Sequence, residues 1–401
     1  MDDAEQLNPL RDGIVHMHEL PVAESRTKAY EMISSLGPVT RDAHGTYLIT
    51  ESAGVAFALR HPDLFSSKRA FDSLGSPIPL VPAATDPPEH TRYRHVLRPY
   101  FSVRGISRWL PLVRSLTNKL IDGFIESGEC DVVADLTIPL PSEVFLTLYG
   151  LPLGDRDRLI NWKDAVLRAV GIGGGAAKDE SIMLAAELYE YLAGHIAAKR
   201  AGGGEDVLGQ LASDSSPDRL TDEELLGLSF LFVLAGLDTV TSALSTSFAV
   251  LAARPALREQ IVADPGIIPS AVEELLRVDG PVVTLPRVAT RDVQIAGHTI
   301  PADSMVGISV ATANRDPAEH ANPNAVDFER KQKHYAFGGG PHACLGSHLA
   351  RLEMRVVMEE WHRRIPYYRL GPGGSDRVEW PAGLIGIDNL PLVFPPGGGP
   401  G

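Results

Sequence analysis

Cysteine is almost absent from this chain: Cys130 and Cys344 are the only two in 401 residues. Two thiols cannot frame a disulfide-stabilised fold of this length, and such sparing use fits a reducing compartment. Positive charge is also scarce. The 37 Lys and Arg stand against 51 Asp and Glu, a formal net charge of −14. A general nucleic-acid binder needs clustered basic residues, so that class is excluded. Long apolar runs are missing too. The longest near-apolar stretch, "LLGLSFLFVLAGL" at 225–237, is closed by Asp238, and a bilayer span needs about 20 residues. The opening "MDDAEQLNPL" has neither the basic nor the apolar region of a secretory signal. The expectation is a soluble cytoplasmic protein with no membrane anchor.

What is present is ordinary globular material, 44% hydrophobic and 22% charged. Length alone suggests two or three domains. No stretch divides the chain into compositionally different halves, so we expect one large unit over 1–394 and a flexible Pro/Gly-rich tail at 395–401. Helical periodicity dominates, at 106–127 despite Pro111 and at 181–201. At 268–278, Ser270 and Glu273 have the spacing of a capping box, and Pro281 follows. Strand patterns are short: 45–50, and a hairpin over 293–301 turning at Gly297. The fold class is mainly α with small β-sheets.

The longest helical pattern begins at Thr221, with Glu224 completing a capping box, and meets no proline before Pro255. Roughly 30 residues of helix would be about 45 Å long. It is apolar nearly all round, which places it in the core. In its middle lies "AGLDTVTS", residues 235–242. Gly236 weakens the helix, and Thr239 and Thr241 can bond backward to carbonyls, a combination that kinks helices. Asp238 and Thr239 have a plain reading, a structural ion pair and a back-bonded hydroxyl. They also have a chemical one. An acid beside an alcohol at a break in a buried helix is costly without a partner or a purpose.

Cys344 sits in "HYAFGGGPHACLGSHLAR", residues 334–351. It can be an inert buried thiol, a zinc ligand with His334, His342 and His348, or the axial thiolate of a haem. Zinc is disfavoured because no CxxC or HxxxH spacing accompanies it. The inert reading leaves Gly338, Gly339 and Gly340 unexplained; they let backbone approach a flat ligand and aim N–H groups at sulfur. An amphipathic helix follows, whose N-terminal dipole favours thiolate.

Phe337, Gly338, Gly340, His342, Cys344 and Gly346 together resemble the FGxGxHxCxG haem-binding loop of the cytochrome P450 family. The resemblance extends along the chain. "AGLDT" (235–239) is similar to the family's oxygen-activating stretch, and "EELLR" supplies Glu274 and Arg277 as its ExxR pair. "VDFERKQKHYAFG" offers Arg330 as a third member of that ion-pair network. "DPPEHTRYR" (86–94) and "LPRVAT" (285–290) resemble segments that reach haem propionates. Two positions depart from the pattern: Val240 replaces a frequent second hydroxyl, and Asp303 stands where glycine is common.

The resemblance implies a single large cytochrome P450-type fold, built around a long central helix and a buried haem b. It implies a bacterial soluble haem-thiolate monooxygenase that hydroxylates or epoxidises a hydrophobic small molecule of lipid, terpenoid, steroid or polyketide type. A non-catalytic haem-binding sensor or carrier and a peroxide-driven peroxygenase are the alternatives. Cys344 would be the metal ligand. Phe337, Gly338 and Gly346 would line the haem, with Ala235 on the long helix. His90, Arg94, Arg287 and His342 would meet the propionates. Asp238 and Thr239 would deliver protons for O2 activation, and Glu274, Arg277 and Arg330 would be structural. The length leaves no room for a flavin or iron–sulfur segment. Electrons from NAD(P)H would therefore arrive through a ferredoxin or flavodoxin and its reductase. Lys331, Lys333, His334 and Arg355, with Arg94 and Arg98, are the candidate docking face. Substrate contacts are expected from 68–85, 168–182, Leu234, 281–285 and 383–387, with a mobile lid at 171–175. A monomer is expected.

Overall fold

The computed structural model of the chain describes residues 9–72, 76, 78–171, 176–331, 333–379 and 384–398. About 53% of the chain is helical. The central element starts at the expected capping box: Thr221 Oγ1 accepts from Glu224 N at 3.2 Å, and Glu224 Oε2 accepts from Thr221 N at 2.8 Å. It is not one helix. Asp222–Gly236 ends, Leu237 and Asp238 intervene, and Thr239–Ala253 resumes. Gly236 is where the Phe145 ring closes in, because a Cβ there would lie 3.1 Å from it. By length and composition the stretch Asp222–Ala253 passes as a membrane span. Here it threads the core, with Leu225, Leu228, Leu244, Phe248 and Leu251 fully buried.

Beside it, Ile268–Asp279 carries an ion network that fixes the segment leading to the cysteine loop. Arg277 Nε and Nη2 grip Glu274 at 2.7 and 2.8 Å, and both side chains are 0% exposed. Arg330 Nε reaches Glu274 at 3.1 Å, and the Asp327 N–H donates to the same carboxylate at 2.9 Å. The remaining Arg277 donors take the carbonyls of Asn314, Pro323 and Ala325. Every donor of a buried cation thus has a partner, the condition for tolerating it.

The seven-stranded sheet places Arg287. Strand Met305–Ser309 runs parallel to Tyr47–Ile49 and antiparallel to Thr284–Ala289, with Val306 opposite Arg287. The 293–301 hairpin forms as expected, Val293–Ile295 against His298–Ile300. Ala296 and Gly297 both have positive φ, as a two-residue turn of this hand requires. Asp303 has φ +60°, which accounts for glycine being common there.

Three local expectations are corrected. Residues 106–127 are not one helix: Val103–Ser107 stops, and Leu110–Asp122 begins with Pro111 in its first turn, where its missing N–H is harmless. Ser270 is not a cap; the helix starts at Ile268, and the Ser270 hydroxyl donates to the Phe328 carbonyl. Residues 395–398 are docked instead of trailing: Gly397 N donates to Ile125 O at 2.9 Å, and Gly398 is buried. The last three residues, 399–401, lie outside the described residues.

Candidate active site

The cysteine loop is shaped by backbone that only glycine adopts readily. Gly338 and Gly340 have φ +66° and +63°, and a Cβ on Gly340 would run into the Leu59 carbonyl. The turn brings Cys344 N to Phe337 O at 2.8 Å. The N–H groups of Gly346 and Ser347 point at the sulfur, at the start of helix Ser347–Arg364. Cys344 is exposed, yet burial is the main influence on its thiol, so the surface it exposes faces the molecule's interior. That burial raises the thiol above its ordinary pKa. Gly346 N–H, Arg94, Arg351 and Ser347 N–H oppose it without prevailing. The helix N-terminus thus favours the thiolate as expected, against a larger opposing effect of desolvation, and a cation bound at the sulfur would favour the anion further.

His90, Arg94, Arg287 and His342 do converge. The His90 and His342 rings lie 4.1 Å apart, and His90 Nδ1 is buried without a partner. Among the described residues the Arg287 side chain donates to one group, its neighbour's carbonyl, Pro286 O, at 2.6 Å. Among the described residues neither Arg94 nor Arg287 has an ion pair. Burial depresses Arg287 to about 10, with Asp86 opposing. Burial, then the Arg287, His90 and Arg94 charges, hold His342 at about 3. Burial, then Arg94, hold His90 at about 4. Asp86 itself is engaged by Ser66 Oγ and by Ser67 N at 2.8 Å, and Ser67 Oγ lies 3.3 Å from His342 Nε2. Buried cations and an orphaned imidazole nitrogen beside an inward-facing thiol fit a flat metal porphyrin bearing two carboxylates. Among the described residues no group of three or more His, Cys, Asp or Glu could share a metal ion.

Across the interior, the helix break presents Ala235, which is exposed although it belongs to a core helix. Thr239 Oγ1 donates to Ala235 O at 3.1 Å, which leaves its lone pairs free to accept. Asp238 ion-pairs with Lys163, a residue missing from the sequence reading. Lys163 is 2% exposed and also holds Asp164 at 2.7 Å. A signal for it existed: Leu159, Trp162, Lys163 and Val166 form one helical stripe, and the lysine interrupts its apolar pattern. Burial raises Asp238 above the usual carboxylate value; Lys163 opposes and Asp164 adds to the rise.

The expected docking face is only partly there. Lys333 pairs with Glu319, His334 with Glu273 and Arg355 with Glu359, while Arg94 belongs to the interior cluster. Exposed Arg98, Arg104 and Arg108 have no ion pair among the described residues. They occupy Glu89–Phe101, Val103–Ser107 and the residue just after it. Of the expected substrate contacts, Leu234, Val283, Ile385 and Ile387 are buried apolar groups. Of the proposed lid, Ile172 and Gly173, Gly174 and Gly175 lie outside the described residues, as do the side chains of 168–181 and residues 73–75, 77 and 383.

Comparisons with known proteins agree in kind. The family model described as Cytochrome P450 matches residues 267–363. The chain is 34% identical over 360 residues to the probable cytochrome P450 127A1 of Sinorhizobium fredii, covering 88% of this chain and 85% of that one. It is 31% identical to the steroid C26-monooxygenase of Mycobacterium tuberculosis strain H37Rv, over 92% of this chain and 93% of that one. The structure of a mutant of P450 EryK in complex with erythromycin B superposes with a TM-score of 0.82 at 32% identity, covering 91% of this chain and 95% of that one.

Proposed function

Because this chain belongs to the cytochrome P450 family, it is a haem-thiolate monooxygenase, and on that premise we propose how its own residues divide the work. When bound, haem b activates O2 with electrons that start from NAD(P)H and pass through a redox partner, and the oxygen enters a hydrophobic small molecule. The observation that carries the division of roles is the convergence on the Cys344 thiol of buried Arg287 and half-buried Arg94, neither with an ion pair among the described residues, and of the partnerless His90 Nδ1. Cys344 would hold the iron, with the Gly346 and Ser347 N–H groups donating to its sulfur. Phe337, Gly338 and Gly346 frame the loop. His90, Arg94, Arg287 and His342 hold the two carboxylates. Glu274, Arg277 and Arg330 carry structure and no chemistry.

Asp238 and Thr239 handle protons. Thr239 Oγ1, anchored by donating to Ala235 O, would accept a hydrogen bond with its free lone pairs and so hold a proton-carrying group in the pocket. Asp238, its pKa lifted by burial, picks up a proton when it lets go of Lys163 and passes it toward that hydroxyl. With haem loaded and surrogate redox partners supplied, Thr239→Ala should keep consuming NAD(P)H while peroxide rises and product falls. Unchanged coupling would overturn the assignment.

The substrate is of lipid, terpenoid, steroid or polyketide type. Support comes from the aliphatic groups Leu234, Val283, Ile385 and Ile387, and from a relative whose name specifies a steroid. The donor is a ferredoxin or flavodoxin whose acidic surface meets Arg98, Arg104 and Arg108. The protein acts as a cytoplasmic monomer.

A further inference from the structure

We propose that Glu273 is a positioning residue that staples both ends of the Cys344 loop and, through Arg351, sets how strongly the sulfur donates to its metal. The proposal rests on Cys344 being the axial ligand. Glu273 neighbours Glu274 on the same helix, yet the two carboxylates serve different partners. Glu274 faces the saturated arginine network. Glu273 Oε2 accepts from His334 Nε2 at 2.9 Å, ahead of the loop, and from Arg351 Nη2 at 2.8 Å, behind it. Its Oε1 accepts from Arg351 Nε at 2.6 Å. His334 Nδ1 accepts from Ala336 N at 3.2 Å, so the ring proton sits on Nε2 and points at Glu273. One carboxylate thus ties the residue that enters the loop to the residue that leaves it.

Arg351 extends the link to the sulfur. Its guanidinium lies 4.3 Å from the centre of the Phe337 ring, and Phe337 O accepts the Cys344 N–H at 2.8 Å. Its charge also acts on the Cys344 thiol, favouring the anion. Burial alone would raise the Glu273 carboxyl, but the His334 and Arg351 hydrogen bonds hold it at about 2, which favours the carboxylate at neutral pH. The sulfur therefore feels a cation partly offset by an anion. Hydrogen bonds and charges beyond the ligand tune a metal's electron affinity in this way.

The test is the ferric/ferrous midpoint potential of the haem-loaded protein. Glu273→Gln leaves the Arg351 charge uncompensated and should raise the potential. Arg351→Leu removes the cation and leaves the anion, and should lower it. The double variant should return toward wild type. A role confined to bracing would move both single variants in the same direction or neither, and either result overturns the proposal. Both single variants should also release haem to an acceptor globin on the order of tenfold faster. If Arg351→Leu does not retain haem, Arg351→Lys decides: keeping the charge must keep the wild-type potential, and a downward shift overturns the proposal. A wild-type protein whose reduced carbon monoxide complex lacks a thiolate spectrum sinks the underlying assignment. A thiolate spectrum with unsplit potentials sinks only the role of Glu273.

Discussion

Arg277 and Arg287 are both buried, and their surroundings are opposite. Arg277 has a bidentate carboxylate and three backbone carbonyls. Among the described residues Arg287 has one carbonyl, from its own neighbour, and it shares a pocket with the Arg94 guanidinium and the imidazoles of His90 and His342, which burial keeps neutral. A saturated cation is finished; its work is to hold the proximal segment. An unsaturated buried cation is costly by itself and is suited to receive an anionic group. The difference in hydrogen-bond satisfaction separates structural from ligand-binding arginines better than burial does.

Breaking the saturated side should have the largest effect. Arg277→Ala takes the bidentate partner from buried Glu274, leaving it Arg330 and the Asp327 N–H, and should cost about 3 kcal/mol, the lower end of the range for a broken buried pair. Urea unfolding of the haem-free protein should show the loss, with little haem-loaded material recovered. On the other side the sign should differ. Arg287→Ala removes an unpaired buried cation, so the haem-free protein should be no less stable than wild type. Haem retention should fall by about 1.5–3 kcal/mol, the worth of a hydrogen bond to a charged group. A parallel loss of haem-free stability in both variants would erase the contrast.

Acid sharpens the same contrast. His90 and His342 sit at about 4 and 3 in the fold, against about 6.5 when unfolded. Their folded values are depressed, so the unfolded chain binds protons first as pH drops. Haem-free stability should be intact above about 6.5 and decline progressively as pH falls toward 4. Urea midpoints taken across that range for wild type and His342→Gln check this; the variant should show a shallower decline. The smallest effect belongs to another buried cation, Lys163. Lys163→Gln removes the charge that opposes the upward shift of Asp238. The acidic limb of kcat/KM should move to higher pH, with the fold preserved.

What was legible in the chain was local. The cysteine loop, the capping box at Thr221, the Ala296–Gly297 turn and the Glu274/Arg277 spacing all fall within a few residues, where spacing dictates geometry. What was missed depends on contacts between distant segments. Lys163 meets Asp238 from another helix, and Ser270 turns to Phe328. Residues 395–398 dock against Ile125, and the acids that neutralise Lys333 and Arg355 arrive from elsewhere on the surface or one turn along the same helix. The thiol's raised pKa escaped for the same reason. A helix N-terminus can be read from sequence, whereas the desolvation that outweighs it is a property of the assembled interior.

Everything assigned to the pocket presumes sulfur on the iron. Purified, haem-loaded protein should be reduced and exposed to carbon monoxide while the Soret band is recorded. The account predicts the strongly red-shifted band of a thiolate-ligated complex, lost in Cys344→His. A wild-type band at the position typical of histidine-ligated haem, or one indifferent to that substitution, would contradict it.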